Sequence, residues 1–167
     1  MHLNDFQNQV YPLKDKLFRF ANWMLHHHED AEDIVQEVFL KLWKKRDDLD
    51  KYNSLEALAM KITKNSCINK LKSQKITQDI SSITLQSPQS TPLENSNFNE
   101  MKNILKSVIE QLPIQQKMVI QLKSVEGFEI AEVADIMEIT PNNTRVVLSR
   151  ARKNIKTALE KHYGHDK

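Results

Sequence analysis

The stretch DAEDIVQEVFLKLW, residues 30–43, decides the fold class of this 167-residue chain. Its apolar residues recur every three or four positions, which is the spacing of a helix that buries one side. Asp30 followed by Asp33 resembles an N-cap with an acidic third position, so we expect the helix to begin at Asp30. The predicted buried stripe comprises Ala31, Ile34, Val35, Val38, Phe39 and Leu42, with Trp43 closing it.

Helical stripes also precede and follow this stretch. One apolar stripe runs from Val10 to Leu25, and another runs from Leu55 to Leu71 after an Asp-rich loop at 46–54. The first part of the chain is therefore predicted to be a succession of helices.

Residues 73–99 have a different composition. Ser, Thr, Gln and Asn crowd around Pro88 and Pro92, and no apolar period is sustained, which favours a flexible linker. Helical stripes resume at residue 100. After Leu112-Pro113, the next predicted stripe comprises Ile114, Met118, Leu122 and Val125.

The fold class follows from these patterns and from the composition. With only 2 glycines and 5 prolines, the chain has few of the breaks that a turn-rich β architecture needs. We predict an all-α protein with two small helical domains, residues 1–72 and 100–167, joined by a flexible linker at 73–99. Domains of this size have small cores, so we expect the protein to work in complexes.

The net charge is only +2, but the charges are segregated along the chain. Residues 29–37 contain five acidic residues and no base, whereas residues 61–75 contain five lysines and no acid. A second basic run, residues 145–161, is opposed only by Glu160. One acidic surface and two basic surfaces indicate different partners, although a solvated helix surface is the simpler explanation for each run.

The end of the chain has the pattern of a helix-turn-helix. A helix of about nine residues is followed by Thr140-Pro141, which places a hydroxyl N-cap before a proline at the first helical position. Burial of Thr144, Leu148 and Ala151 would turn the opposite side of the last helix toward a DNA groove. The residues expected to face DNA are Asn142, Asn143, Arg145, Val146, Ser149, Arg150, Arg152 and Lys153.

No set of catalytic or metal-binding residues is apparent in the sequence. Cys67 is the only cysteine, so an internal disulfide is excluded and a small buried thiol is expected. Three successive histidines on a helix point about 100° apart, so residues 26–28 cannot all bind one metal ion. We therefore expect no enzyme activity, no cofactor and no metal. The start lacks a signal-peptide pattern and no apolar run is long enough for a membrane span, which predicts a cytoplasmic protein without stable membrane insertion.

Two long motifs resemble the extracytoplasmic-function (ECF) sigma factors of the sigma-70 family. Residues 30–43 resemble region 2 of that family nearly residue for residue. The stretch from Leu112-Pro113 through Val125-Glu126-Gly127, followed by 132–134 and 148–152, resembles region 4, and the order along the chain is the same. The resemblance implies that 1–72 is a region 2 domain and 100–167 a region 4 helix-turn-helix domain.

This resemblance also implies three binding surfaces and three kinds of partner. In the family, the helix at 30–43 docks on the clamp coiled coil of the largest subunit of core RNA polymerase, and the flap is a further polymerase contact. Region 4 reads the −35 promoter element. An anti-sigma factor is the expected regulator. The residues to which the resemblance assigns polymerase contact are Asp33, Gln36, Glu37 and Leu40.

The segment Leu58 to Lys72 is similar to the promoter-melting helix of the family. That helix holds the non-template strand of the −10 element and captures a flipped base, and the loop at 46–54 would wall the pocket. Trapping a base outside the duplex converts binding energy into strand opening without ATP. The candidates for −10 contact are Lys61, Lys64, Asn65, Asn69 and Lys72, of which Asn65 matches the family's base-reading asparagine.

The sequence departs from the family pattern at three positions. The usual tryptophan near Leu58 is absent, a basic residue often found at Val147 is missing, and lysine replaces arginine at Lys72. These changes leave the preferred base and the efficiency of melting open. The alternative function is a helix-turn-helix repressor or activator that does not engage polymerase, with an N-terminal half that serves dimerisation or sensing.

Overall fold

The computed structural model of the protein describes residues 1–81 and 97–164. All regular secondary structure within these residues is helical, which confirms the all-α prediction. The chain divides into two compact units, Met1–Gln89 and Ser90–Lys167. Each unit has its own buried apolar residues.

The first unit is built from four helices. Helices α2, α3 and α4 pack against one another, and Leu17, Phe20, Val38, Leu42 and Met60 are fully buried. Burial of each large side chain contributes about 1.5–3 kcal/mol to stability. The helices are α1 (Leu3–Val10), α2 (Lys14–Leu25), α3 (His28–Lys44) and α4 (Leu55–Ser81), with short 3₁₀ turns at Tyr11–Leu13 and Arg46–Lys51.

Helix α3 begins earlier than the sequence indicates. Its N-cap is His27, whose Nδ1 accepts a hydrogen bond from the backbone N–H of Asp30 at 3.2 Å. The prediction of Asp30 as N-cap is therefore wrong, because an imidazole nitrogen replaces the carboxylate as the capping acceptor. The three histidines do not share one helix either, since His26 ends α2 in the left-handed conformation with φ 51°.

Helix α4 is longer than expected. It continues to Ser81, so residues 73–81 are helical and the predicted linker boundary after Lys72 does not coincide with the end of the helix. The amide Nε2 of Gln74 donates a hydrogen bond to Oδ2 of Asp30 at 3.1 Å, so α4 contacts α3 beyond Lys72. The rest of the predicted linker up to residue 96 lies outside the described residues.

The second unit contains α5 (Asn97–Glu110), α6 (Ile114–Ile120), α7 (Ile130–Met137) and α8 (Pro141–Gly164). A wide π-helical turn at Gln121–Val125 follows α6, closed by the N–H of Glu126 on the carbonyl of Gln121 at 2.9 Å. The extra residue per turn shifts the buried face. Met118 and Leu122 are buried as predicted, but Ile114 and Val125 are 56% and 55% exposed, and Val119, Ile120 and Phe128 occupy the core instead.

Candidate nucleic-acid and partner interfaces

The outward side of α3 brings together all four residues predicted to contact polymerase. Each of these residues lies three or four positions from two of the others, and all four are exposed: Asp33, Gln36, Glu37 and Leu40. Leu40 is an apolar residue that is 62% exposed among polar neighbours on the helix. Glu37 forms an ion pair with Lys41 at 2.8 Å. An exposed leucine within an acidic helix surface is suited to a partner with an apolar contact ringed by basic groups.

A cavity beside this surface was missed by the sequence analysis. It encloses about 520 Å³ between the start of α2 and α3, and Gln36 is one of its lining residues. The ring of Tyr11, which is 62% exposed, lies 6.3 Å from the ring of Phe39. Phe39 was predicted to be core but is only half-buried. Phe39, an aromatic residue at the edge of the predicted stripe, was the only feature of the sequence that pointed to this cavity.

One face of α4 collects four of the five residues predicted for −10 contact. Asn69 and Lys72 are exposed, and Lys61 and Asn65 are half-buried on the same side. Lys64 does not belong to this group, because it is only 4% exposed. It lies four residues after Met60 and three before Cys67, both fully buried, and so shares their side of the helix.

A second cavity lies between the end of α3 and α4. It encloses about 310 Å³ and is lined by Lys41, Lys44, Lys45, Ile62, Asn65, Ser66 and Asn69. The Nζ atom of Lys41 donates a hydrogen bond to Oγ of Ser66 at 3.3 Å, which joins the two walls. The contribution of the α3 lysines was not visible in the sequence, because they come from the helix assigned to polymerase contact.

The loop between α3 and α4 is held in place by specific contacts. The guanidinium of Arg46 lies 4.3 Å from the centre of the Trp43 ring and donates to the Trp43 carbonyl at 3.0 Å. Leu49 is buried, and Oγ of Ser54 caps α4 by accepting from the N–H of Ala57 at 3.1 Å. A fixed loop can serve as the wall of a binding site.

The helix-turn-helix has the local chemistry that the sequence indicates. Oγ1 of Thr140 accepts a hydrogen bond from the N–H of Asn143 at 3.0 Å and caps α8. Val147 is buried together with Thr144, Leu148 and Ala151. A basic residue at this position, which the family often has, would therefore not lie on the groove side of this helix. All eight predicted DNA-facing residues lie on the exposed side: Asn142, Asn143, Arg145, Val146, Ser149, Arg150, Arg152 and Lys153.

Two family models match the two units of the chain. Residues 11–76 match sigma-70 region 2, and residues 102–155 match sigma-70 region 4. The chain belongs to the sigma-70 family. The resemblance recognised in the sequence is confirmed, and this protein is an ECF sigma factor of RNA polymerase. A repressor that never engages polymerase is not favoured, because region 2 is present as well as the helix-turn-helix.

Curated relatives are similar to this sigma factor over most of their length. The ECF RNA polymerase sigma factor SigW of Bacillus subtilis (strain 168) is 22% identical over 157 residues, covering 87% of this chain and 84% of SigW. The ECF RNA polymerase sigma-E factor of Escherichia coli (strain K12) is 25% identical over 142 residues, covering 78% of this chain and 74% of the relative.

Solved structures show the same fold. The sigma factor RpoE from Bartonella quintana, in complex with the anti-sigma factor NepR, has a TM-score of 0.74 and 22% identity and covers 95% of this chain and 98% of its own. CnrH, in complex with the cytosolic domain of CnrY, has a TM-score of 0.69 and 18% identity and covers 96% of this chain and 90% of its own.

The remaining candidates in this sigma factor have structural explanations. Burial, and to a lesser degree the charge of Glu37, raises the pKa of the Cys67 thiol to about 12, so the thiol is not a nucleophile. Among residues 1–81 and 97–164, no three His, Cys, Asp or Glu side chains are grouped so that they could hold a metal ion. None of the described helices is long and apolar enough to cross a membrane.

Proposed function

We propose that this sigma factor directs core RNA polymerase to promoters through three surfaces, one on each of α3, α4 and α8. The observation that carries the proposal is the exposed side of α3, where Leu40 stands among Asp33, Gln36 and Glu37. The exposed leucine and the neighbouring carboxylates lie on one surface of the helix. Such a surface is suited to docking, because apolar burial supplies affinity while the carboxylates select a basic partner.

The α3 surface is assigned to the clamp coiled coil of the largest polymerase subunit, and region 4 to the flap. Core polymerase would then hold the sigma factor at two places. A chain with two small cores would gain stability from such docking, since binding to the folded state alone stabilises it.

The α4 surface is assigned to the non-template strand of the −10 element. Asn65 and Asn69 present amides that can both donate and accept hydrogen bonds, which suits the exposed edge of an unpaired base. Lys61 and Lys72 lie on the same side and are suited to phosphates. Capture of a flipped base would offset the few kcal/mol that unstacking costs.

The α8 surface is assigned to the −35 element in duplex form. Asn142, Asn143 and Arg145 lie in the first two turns after the Thr140 cap, where a recognition helix meets base edges. Arg150, Arg152 and Lys153 lie further along and are suited to the DNA backbone.

Regulation by an anti-sigma factor is part of the proposal. RpoE and CnrH, which share this fold, were each solved with a partner, NepR being an anti-sigma factor and CnrY contributing its cytosolic domain. We infer a partner of this kind that covers the α3 and α8 surfaces. The sigma factor acts in the cytoplasm and catalyses no reaction itself.

The α3 assignment is tested by measuring the affinity of the purified chain for core polymerase. Leu40→Glu replaces the exposed apolar contact with a charge, so we expect the affinity to fall by at least tenfold, which is about 1.4 kcal/mol. Leu3→Glu is the matched control, since Leu3 is 56% exposed on α1 of the same unit. Equal affinities for the Leu40→Glu variant and the unmodified chain would overturn the assignment.

A further inference from the structure

The three consecutive histidines, residues 26–28, have no part in the surfaces proposed above. His26 ends α2 and His28 begins α3, so His27 lies between the two helices. Its Nδ1 atom caps α3 by accepting a hydrogen bond from the backbone N–H of Asp30 at 3.2 Å. The usual capping residues, Ser, Thr, Asp and Asn, accept such a bond throughout the neutral pH range. An imidazole cap differs from them, because it is lost when the accepting nitrogen gains a proton.

The side chain of Asp30 joins this cap to α4. Its Oδ2 atom accepts a hydrogen bond from Nε2 of Gln74 at 3.1 Å, and its Oδ1 atom lies 3.8 Å from Nζ of Lys70. Only 20% of the Asp30 side chain is exposed, and partial shielding from water strengthens both contacts. His27, Asp30, Lys70 and Gln74 therefore form a cluster, here called the Asp30 latch, that attaches the end of α4 to the start of α3.

One oxygen of the latch faces both His27 and Gln74. Nδ1 of His27 lies 3.4 Å from Oδ2 of Asp30, the same atom that accepts from Gln74. Neutral His27 carries its proton on Nε2 and accepts from the Asp30 N–H through Nδ1. When a proton from water binds Nδ1, that hydrogen bond breaks and the new N–H donates to Oδ2 instead. Protonated His27 then competes with Gln74 for the carboxylate.

The charges around His27 set the direction of this effect. The titratable and charged groups near it come from three helices and are His26, Glu29, Asp30 and Lys70, with His28 next in the chain. A second cation beside Asp30 repels Lys70 and reduces the negative charge that holds it. A cation at the N-terminal end of α3 is also opposed by the helix dipole. Protonation of His27 therefore weakens both the cap and the attachment of α4.

We propose that the Asp30 latch is a pH-sensitive device, closed when His27 is neutral and released when His27 is protonated. Histidine is the side chain that ordinarily changes charge between about pH 5 and pH 8, and His27 is 56% exposed to solvent. Lys72 of the proposed −10 surface lies between Lys70 and Gln74, so release would loosen that end of the surface. The latch depends only on its own contacts, whereas its effect on promoter opening rests on the proposed role of α4.

The test is amide hydrogen exchange of the full chain, followed by NMR and expressed as protection factors. Between about pH 8 and pH 5, protection at residues 72–76 should fall about tenfold, because a hydrogen bond to a charged group is lost. His27→Asn supplies an amide oxygen that caps without titrating, so its protection should be the same at both pH values. His28→Asn is the matched control and should keep the pH dependence, since His28 faces Glu32 at 3.6 Å instead. Amides in the buried middle of α3 should stay protected throughout.

A second measurement reads the imidazole directly. At about pH 8, the ¹⁵N shifts of His27 should place its proton on Nε2, because Nδ1 accepts from Asp30. Gln74→Ala should have low protection at residues 72–76 at both pH values. The proposal is overturned by a neutral His27 with its proton on Nδ1, or by a pH dependence that His27→Asn retains. None of these measurements involves DNA, so either result would leave the −10 role of α4 standing.

Discussion

Arg145 has the position and exposure of a residue that reads a base. It lies in the second turn of α8, away from the buried Thr144 and Leu148. We expect Arg145→Ala to lose about 1–3 kcal/mol of discrimination at one base pair of the −35 element, because a bidentate contact to guanine would be removed. Binding of the holoenzyme to promoters mutated at each −35 position measures this. Lys156→Ala is the control, and an unchanged base preference in Arg145→Ala would contradict the assignment.

Cys67 makes a separate prediction about pH. Its thiol is fully buried, and burial raises its pKa from 9.0 to about 12, so the unfolded chain releases this proton at lower pH than the native chain does. The free energy of unfolding should therefore fall as pH rises from about 9 toward 12. Urea unfolding of the protein and of Cys67→Ala across this range isolates the thiol. Parallel pH profiles for the two proteins would contradict the prediction.

Helix α8 depends on a cap that is local in sequence. Thr140→Ala removes the acceptor for the N–H of Asn143 and the expected cost is about 1 kcal/mol of stability. Thr140→Ser keeps the hydroxyl and should retain most of that stability. Thermal unfolding of the second unit measures the stability of both variants. A Thr140→Ala variant as stable as Thr140→Ser would show that the hydroxyl does not stabilise the helix.

The elements that the sequence predicted well are those set by local chemistry. The Thr140-Pro141 start of α8 and the buried stripe of α3 depend on neighbours within a few residues. By contrast, the part of α4 beyond Lys72 contacts α3 through Gln74 and Asp30, which are 44 positions apart. Lys64 has the composition of a surface residue, yet it shares a helix side with Met60 and Cys67. Features of this kind depend on packing between helices. The apolar pattern of one helix carries no information about that packing.

The candidate sites divide in the same way. The exposed residues of α3 and α8 were predictable, because a helix with one buried stripe leaves the opposite side to partners. The cavity between α3 and α4 was not, because it joins Lys44 to Asn65 across two elements. A binding site assembled from two helices becomes visible only when their packing is known.

The whole molecule is two helical units, each with its own core, and the matched regions 2 and 4 lie one in each unit. A chain of this kind is expected to bind two separated stretches of DNA while docked on one large partner. Specificity for a promoter is then the contribution of this chain.

The most direct measurement is run-off transcription by core polymerase from genomic fragments, with and without the purified chain. We predict discrete transcripts that appear only when the chain is added, and that are lost when Leu40→Glu replaces it and retained with Leu3→Glu. A chain that binds duplex DNA but leaves the transcripts of core polymerase unchanged would not be a sigma factor that docks through α3.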